Sequence, residues 1–153
     1  MDAKYINPIL TSVTNVLGQF GVTGISKKSL KIKDEMVIDK DITAFVGMVG
    51  DIRGNVSYCF SQETAKKVVS SMMMGMPVNE IDDMARNGLS ELSNMFTGNA
   101  ATAFSEYNFS VDVTPPTVVA GEDMFLVLTF NQTISLELST SVGDIEVNIG
   151  LEV

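Results

Sequence analysis

The stretch GLSELSNMFTGNAATAF, residues 88–104, reads as a helix that gives up helix propensity for something else. Gly88, Asn94, Gly98 and Asn99 are poor helix formers, and an interior Gly costs roughly 1 kcal/mol relative to Ala. Residues 84–105 can be placed on a wheel of about 100° per residue. Ala85, Leu89, Leu92, Phe96, Ala100 and Ala103, with Asn99 less centrally, fall on one side and are expected to face a core. Asn87, Glu91, Asn94, Gly98 and Ser105 fall opposite. Glu91 and Asn94, three residues apart, therefore project together from the outer face.

A merely solvated face would be well served by Glu, Lys, Gln and Ala, which are good helix formers. This one uses Asn twice and Gly once, with Glu91 as its sole charge. Gly98 lacks a side chain, so another backbone can come close there. Asn87, Gly98 and Met95 are candidate partner contacts beside the Glu91–Asn94 pair. For Met72, Met73, Met74, Met76 and Met84, core filling by an adaptable side chain is the expectation. The stripe reads as a docking surface with two specific polar groups.

The rest of the chain alternates between two periodicities. Residues 2–20 carry Ile6, Ile9, Leu10, Val13, Val16, Leu17 and Phe20 at helical spacing, with Pro8 in the first turns and Gly21 as a stop. SLKIK (29–33) and MVID (36–39) alternate like short strands. DITAFVGMVG (41–50) and GNVSYCF (54–60) are longer strands around a turn at 51–54. SQETAKKVVSSMMMG (61–75) is a second helix capped by Ser61. The third and longest helical stretch runs over 79–107. FSVDV (109–113), a break at Pro115–Pro116, TVVA (117–120), MFLVLTFN (124–131), TISLELS (133–139) and DIEVNIGLEV (144–153) complete the strands. VGDIRGNV at 49–56 echoes VGDIEVNI at 142–149, through shared hairpin chemistry or a duplicated two-half fold. The pattern predicts an α+β fold, an antiparallel sheet with packed helices, in a single domain over 1–153. Its sheet edges invite homodimerisation.

Bulk properties exclude several function classes. A net charge of −9 over 153 residues and a pI near 4.3 oppose nucleic acid or anionic membrane as partners. No apolar run approaches the roughly 20 residues of a membrane span, and MDAKYINPIL lacks a signal-peptide pattern. A cytoplasmic protein without membrane insertion is expected. The lone Cys59 fits a reducing compartment as a small core residue. The absence of His removes Ser-His-Asp and Cys-His catalysis. The outer stripe offers too few ligands for a metal and only one carboxylate, where a glycosidase needs two. GVTGIS (21–26) lacks a phosphate-loop Lys and reads as a turn. An Asn amide can position a water, and phosphoryl transfer depends on positioning. A neighbouring carboxylate can pair with a cation and fix a docked geometry.

SELSNMFTGNA (90–100) resembles the Glu-x-x-Asn helix of the CheC/CheX/FliY phosphatases of bacterial and archaeal chemotaxis. Pro115–Pro116 about twenty residues on, the length and the opening YINPIL extend the resemblance over nearly the whole chain, in the one-site CheX-like pattern. Asn87 stands where that family often has Asp or Ser. ILTSVTNVLGQF in the first helix lacks the Glu-x-x-Asn that two-site relatives carry there. The resemblance implies a two-half pseudo-symmetric fold and a homodimer joined through continuous β structure. It also implies hydrolysis of the phospho-aspartate of the response regulator CheY. Asn94 would orient the attacking water and Glu91 would pair with the regulator's Lys. The chain would need no cofactor of its own, and Mg²⁺ would belong to the regulator. The competing expectation is a non-catalytic module on the same fold that binds a receiver domain or a flagellar switch component.

Overall fold

The computed structural model describes residues 3–121 and 126–152; Asp2, Met124, Phe125 and Val153, which the periodicity assigns to a helix or to strands, lie outside them. Among the described residues the elements are α1 (Ala3–Gln19), β1 (Ser26–Ile38), β2 (Ile42–Gly50), β3 (Arg53–Phe60), α2 (Gln62–Met72), α3 (Asp83–Ser105), β4 (Val111–Val113), β5 (Thr117–Ala120), β6 (Leu126–Thr140) and β7 (Gly143–Glu152). The seven strands form one antiparallel sheet in the order β1-β6-β7-β3-β2-β4, with β5 also on β2. The fold is the α+β arrangement expected.

Local chemistry explains where the elements begin and end, and where the sequence reading needs correction. SLKIK and MVID are one strand, because register shifts at Lys27/Ser29 and Lys33/Glu35 interrupt an alternation that the β6 ladder carries through. TISLELS and the described part of MFLVLTFN are likewise one strand, β6. The long helix starts at Asp83, not 79. Asp82 keeps an extended backbone (φ −84°, ψ −173°), and its carboxylate accepts the Ala85 N–H at 2.9 Å. Ser61 caps α2 in the same way, accepting the Thr64 N–H at 3.2 Å. Pro115–Pro116 splits one sheet edge into two short pieces, β4 on Met48–Gly50 and β5 on Ile42–Phe45.

The two halves are related by a pseudo-dyad. Hairpin β2–β3 and hairpin β6–β7 meet through the central β3–β7 ladder. In that ladder Val56 faces Ile149, and these residues end the two copies of the echo, so each pairs with its own counterpart. The glycines of the echo do not correspond in the same way: Gly50 ends β2 and Gly143 begins β7, although both hold left-handed backbone at φ +112° and +123°. The duplicated two-half fold therefore holds. Each half lends its first strand to the other's hairpin: β1 flanks β6, while β4 and β5 flank β2.

All three helices cover one face of the sheet. Ile9, Val13, Val16 and Leu17 of α1, Ala65, Val68 and Val69 of α2, and Leu89, Leu92, Phe96 and Phe104 of α3 close over Val46, Val56, Tyr58, Leu136 and Val147. Across the sheet, Met36 and Ile38 from the end of β1 bury Cys59, with Phe45 beside them. Two strands separate β1 from β3, yet the Met36 sulfur lies 3.5 Å from the Ser57 hydroxyl. The β1–β6 ribbon therefore curls over the back of the sheet.

Candidate functional site

Helix α3 is held in one rotational setting by its inner face. Ala85, Leu89, Leu92, Phe96, Ala100 and Phe104 are buried, and so are Ser93 and Thr97. The Ser93 hydroxyl donates to the Leu89 carbonyl at 2.7 Å, and the Thr97 hydroxyl donates to the Ser93 carbonyl at 2.9 Å. With its own proton committed, Thr97 Oγ1 accepts from the fully buried Tyr58 hydroxyl at 2.8 Å. The Tyr58 and Phe96 rings meet at a centroid distance of 5.0 Å. Besides burying Ser93 and Thr97, which the wheel leaves off the core face, this inner face differs from the wheel reading at three further positions. Asn99 is exposed and lines a groove against α1. Ala103 is half-buried. Phe104 takes the core position instead.

The outer face carries the predicted pair. Glu91 and Asn94 are both exposed, and neither has a hydrogen-bond or ion-pair partner among the described residues. Asn87 is exposed one turn earlier. A Cβ placed on Gly98 would meet nothing within 4 Å, so this position faces open space. Gly88, by contrast, lies over α2, where a Cβ would touch Val69 at 3.5 Å. Met95 is half-buried against the core at the margin of the stripe. The core-filling expectation for the other methionines divides. Met72 and Met73 do pack on the core. Met74 and Met76 are 98% and 59% exposed, because left-handed backbone at Met74 and Gly75 turns the chain outward after α2; Met84, in the first turn of α3, is 56% exposed.

Beside the pair runs a groove of about 450 Å³, lined by Asp83, Arg86, Asn87, Ser90 and Val118. Arg86 pairs with Asp83 at 3.3 Å, which leaves the groove mixed in charge. The sequence reading missed this feature, because Val118 reaches it from β5. Its only local signal is the run of polar residues at 83, 86, 87 and 90. Among the described residues no three His, Cys, Asp or Glu side chains converge as metal ligands. No described helix is long and apolar enough to cross a membrane.

A pseudo-symmetric antiparallel sheet, layered by helices of which one presents an unpartnered Glu-x-x-Asn pair, defines the CheC-like class of proteins. The chain matches the family model of chemotaxis phosphatase CheX over residues 42–136. It is 35% identical to the CheY-P phosphatase CheX of Thermotoga maritima, covering 99% of this chain and 98% of the relative. The structure matches the chemotaxis protein CheX of Desulfovibrio desulfuricans with a TM-score of 0.87, at 27% identity over 97% of this chain and 99% of that one. It also shares the fold of the CheX in a CheX–CheY–BeF3–Mg complex from Borrelia burgdorferi, with a TM-score of 0.77 at 24% identity over 97% and 98% of the two chains. The chain belongs to the CheX family of chemotaxis phosphatases.

Proposed function

We propose that this protein hydrolyses the phospho-aspartate of a CheY-type response regulator, and that Glu91 and Asn94 carry the reaction. The observation behind this reading is the pair itself: an exposed carboxylate and carboxamide, one turn apart, on a helix whose rotation the Tyr58–Thr97 contact fixes. The name of the Thermotoga relative and the partner in the Borrelia complex support the same substrate class.

In this reading α3 docks against the phosphorylated face of the regulator. Glu91 accepts hydrogen bonds from the regulator's lysine and sets the depth and angle of approach. The Asn94 amide holds one water in line with the acyl phosphate. The water oxygen attacks phosphorus, the bond from phosphorus to the aspartyl oxygen breaks, and inorganic phosphate leaves with the regulator's carboxylate restored. An amide is too weak a base to take the water's proton, so its contribution is position and orientation. Mg²⁺ would reside on the regulator and neutralise phosphoryl charge there. Asn87, Gly98 and Met95 border the contact. The groove at Asp83, Arg86 and Ser90 gives the regulator a second surface to follow.

The test is the decay of a phosphorylated CheY-type regulator with wild-type protein and with Asn94→Ala. Accelerated decay that the variant loses supports the reading. A stable complex with unchanged phosphate lifetime would instead make the chain a receiver-binding module. Self-association through the β1 or β4–β5 edge is part of the proposal, and light scattering reads it directly.

A further inference from the structure

The outer stripe of α3 is small for a protein contact. From Asn87 to Gly98 it is roughly 16 Å long and 10 Å wide, whereas a specific interface takes about 800 Å² from each partner. Its one charge adds little affinity, because an ion pair at an exposed surface returns little net free energy. Neighbouring surface has to supply most of the binding, and toward the start of α3 the stripe continues as apolar surface. Met84 stands seven residues before Glu91, two turns back on the same face, and is more than half exposed.

The segment between α2 and α3 enlarges that end. Pro77 and Val78 bring the chain against Met84, and with Asn79, Glu80 and Asp82 they line a hollow of about 180 Å³. Met76 precedes Pro77 and is exposed, its N–H held by the Met73 carbonyl at 3.2 Å. Met74 is almost wholly exposed, on left-handed backbone at φ +59° that Gly or Asn adopts at less cost. Three of the seven exposed large hydrophobic side chains among the described residues therefore fall within 74–84, and all three are methionine. Met72 and Met73 of the same run supply its contact with the core. Adaptable thioethers left in water suit a surface that moulds to a partner.

Resting on the proposed function of the α3 face, we infer that Met74, Met76 and Met84 form the part of the docking surface that sets affinity, and that their occupant is an apolar patch on the regulator beside its phospho-aspartate. Continuity fixes the occupant, because the molecule that engages Glu91 and Asn94 lies within two helical turns of Met84. The hollow carries Glu80 and Asp82, so an apolar patch rimmed by amide or cationic groups fits it and one rimmed by carboxylates does not. Glu91 and Asn94 set the geometry of approach, and the methionines bury the area that holds it.

Titration of the phosphorylated regulator tests this division. A chain carrying Met74→Gln, Met76→Gln and Met84→Gln should need at least about tenfold more regulator for half-maximal decay, with the rate at saturation within about twofold of wild type. Asn94→Ala should show the opposite split. Leu at the same three positions keeps the apolar area and should keep the wild-type concentration dependence. Calorimetric titration with beryllofluoride-loaded regulator reads binding without hydrolysis. There the Gln variant should lose affinity by the same factor and show a less negative heat-capacity change. Thermal melts should match wild type, since the three side chains are exposed. A Gln variant that binds the loaded regulator as tightly as wild type overturns the inference. So does an equal loss in the Leu variant, which assigns the effect to the backbone of the segment, and so does a change confined to self-association in light scattering, which makes a second copy the occupant. Wild type that binds the loaded regulator without accelerating decay refutes catalysis at α3, and the affinity comparison still decides the role of the methionines.

Discussion

The Tyr58 hydroxyl donates to Thr97 Oγ1 across 2.8 Å of fully buried space, joining the central strand β3 to helix α3 three residues after Asn94. Around the helix axis, Thr97 points into the sheet while Glu91 and Asn94 point away from it. This contact converts an amphipathic pattern into a fixed presentation of the pair.

Its two ends are not equivalent. Tyr58→Phe leaves Thr97 still donating to Ser93 and should lower stability by about 1 kcal/mol. Thr97→Val strands a buried phenol without an acceptor and should cost about 1–3 kcal/mol. Denaturant unfolding of both variants checks the order. Equal losses would mean that the phenol finds another partner.

Asn94→Ala should reduce regulator dephosphorylation by roughly 10²-fold or more if water positioning is central. Glu91→Ala should weaken both binding and turnover. Because neither side chain has a partner among the described residues, folding stability should stay within about 0.5 kcal/mol of wild type in each variant. Phosphate-release kinetics and thermal melts, run on the same samples, separate a chemical defect from a folding defect.

The two glycines of α3 make a matched pair of probes. Ala at either position should stabilise the helix by up to about 1 kcal/mol, since a Cβ meets only ordinary contact with Val69 at 88 and open space at 98. Gly88→Ala should leave dephosphorylation unchanged. Gly98→Ala adds a methyl to the docking face and should raise the concentration of regulator needed for half-maximal rate. Unchanged regulator affinity in Gly98→Ala would remove Gly98 from the contact.

Cys59 should behave as a silent thiol in the folded chain. Burial, with a smaller contribution from the Glu146 carboxylate, pushes it up from an ordinary 9.0 to about 12. A group raised in the folded state contributes stability that is complete below the unfolded value and is lost as pH climbs toward the folded one. Stability should therefore fall between pH 9 and 12, and Cys59→Ser should flatten part of that slope. At neutral pH a maleimide should label Cys59 only as fast as the protein unfolds.

Helix α3 was legible in the sequence because side-chain spacing on a helix is a local property: the outward projection of Glu91 and Asn94 follows from three residues of separation. The same logic placed α1, α2, the Ser61 cap and the hairpins. It failed where hydrophobicity stood in for burial. Ser93 and Thr97 are polar yet inside, since their hydroxyls bond to carbonyls of their own helix, and Asn99 is outside because α1 leaves a groove there. Asp34, between the two short strand patterns, hid the continuity of β1, which only the pairing with β6 restores.

The α+β class, the outward Glu91–Asn94 pair and the absence of histidine chemistry all follow from composition and short-range periodicity. The strand order, the pseudo-dyad through Val56 and Ile149 and the curl of β1–β6 over Cys59 emerge only in the folded chain. Folding also joins Val118 to the polar turn of α3 in one groove. These are pairings between residues far apart in the chain, fixed by which apolar faces can be buried together, and a local pattern does not specify its distant partner.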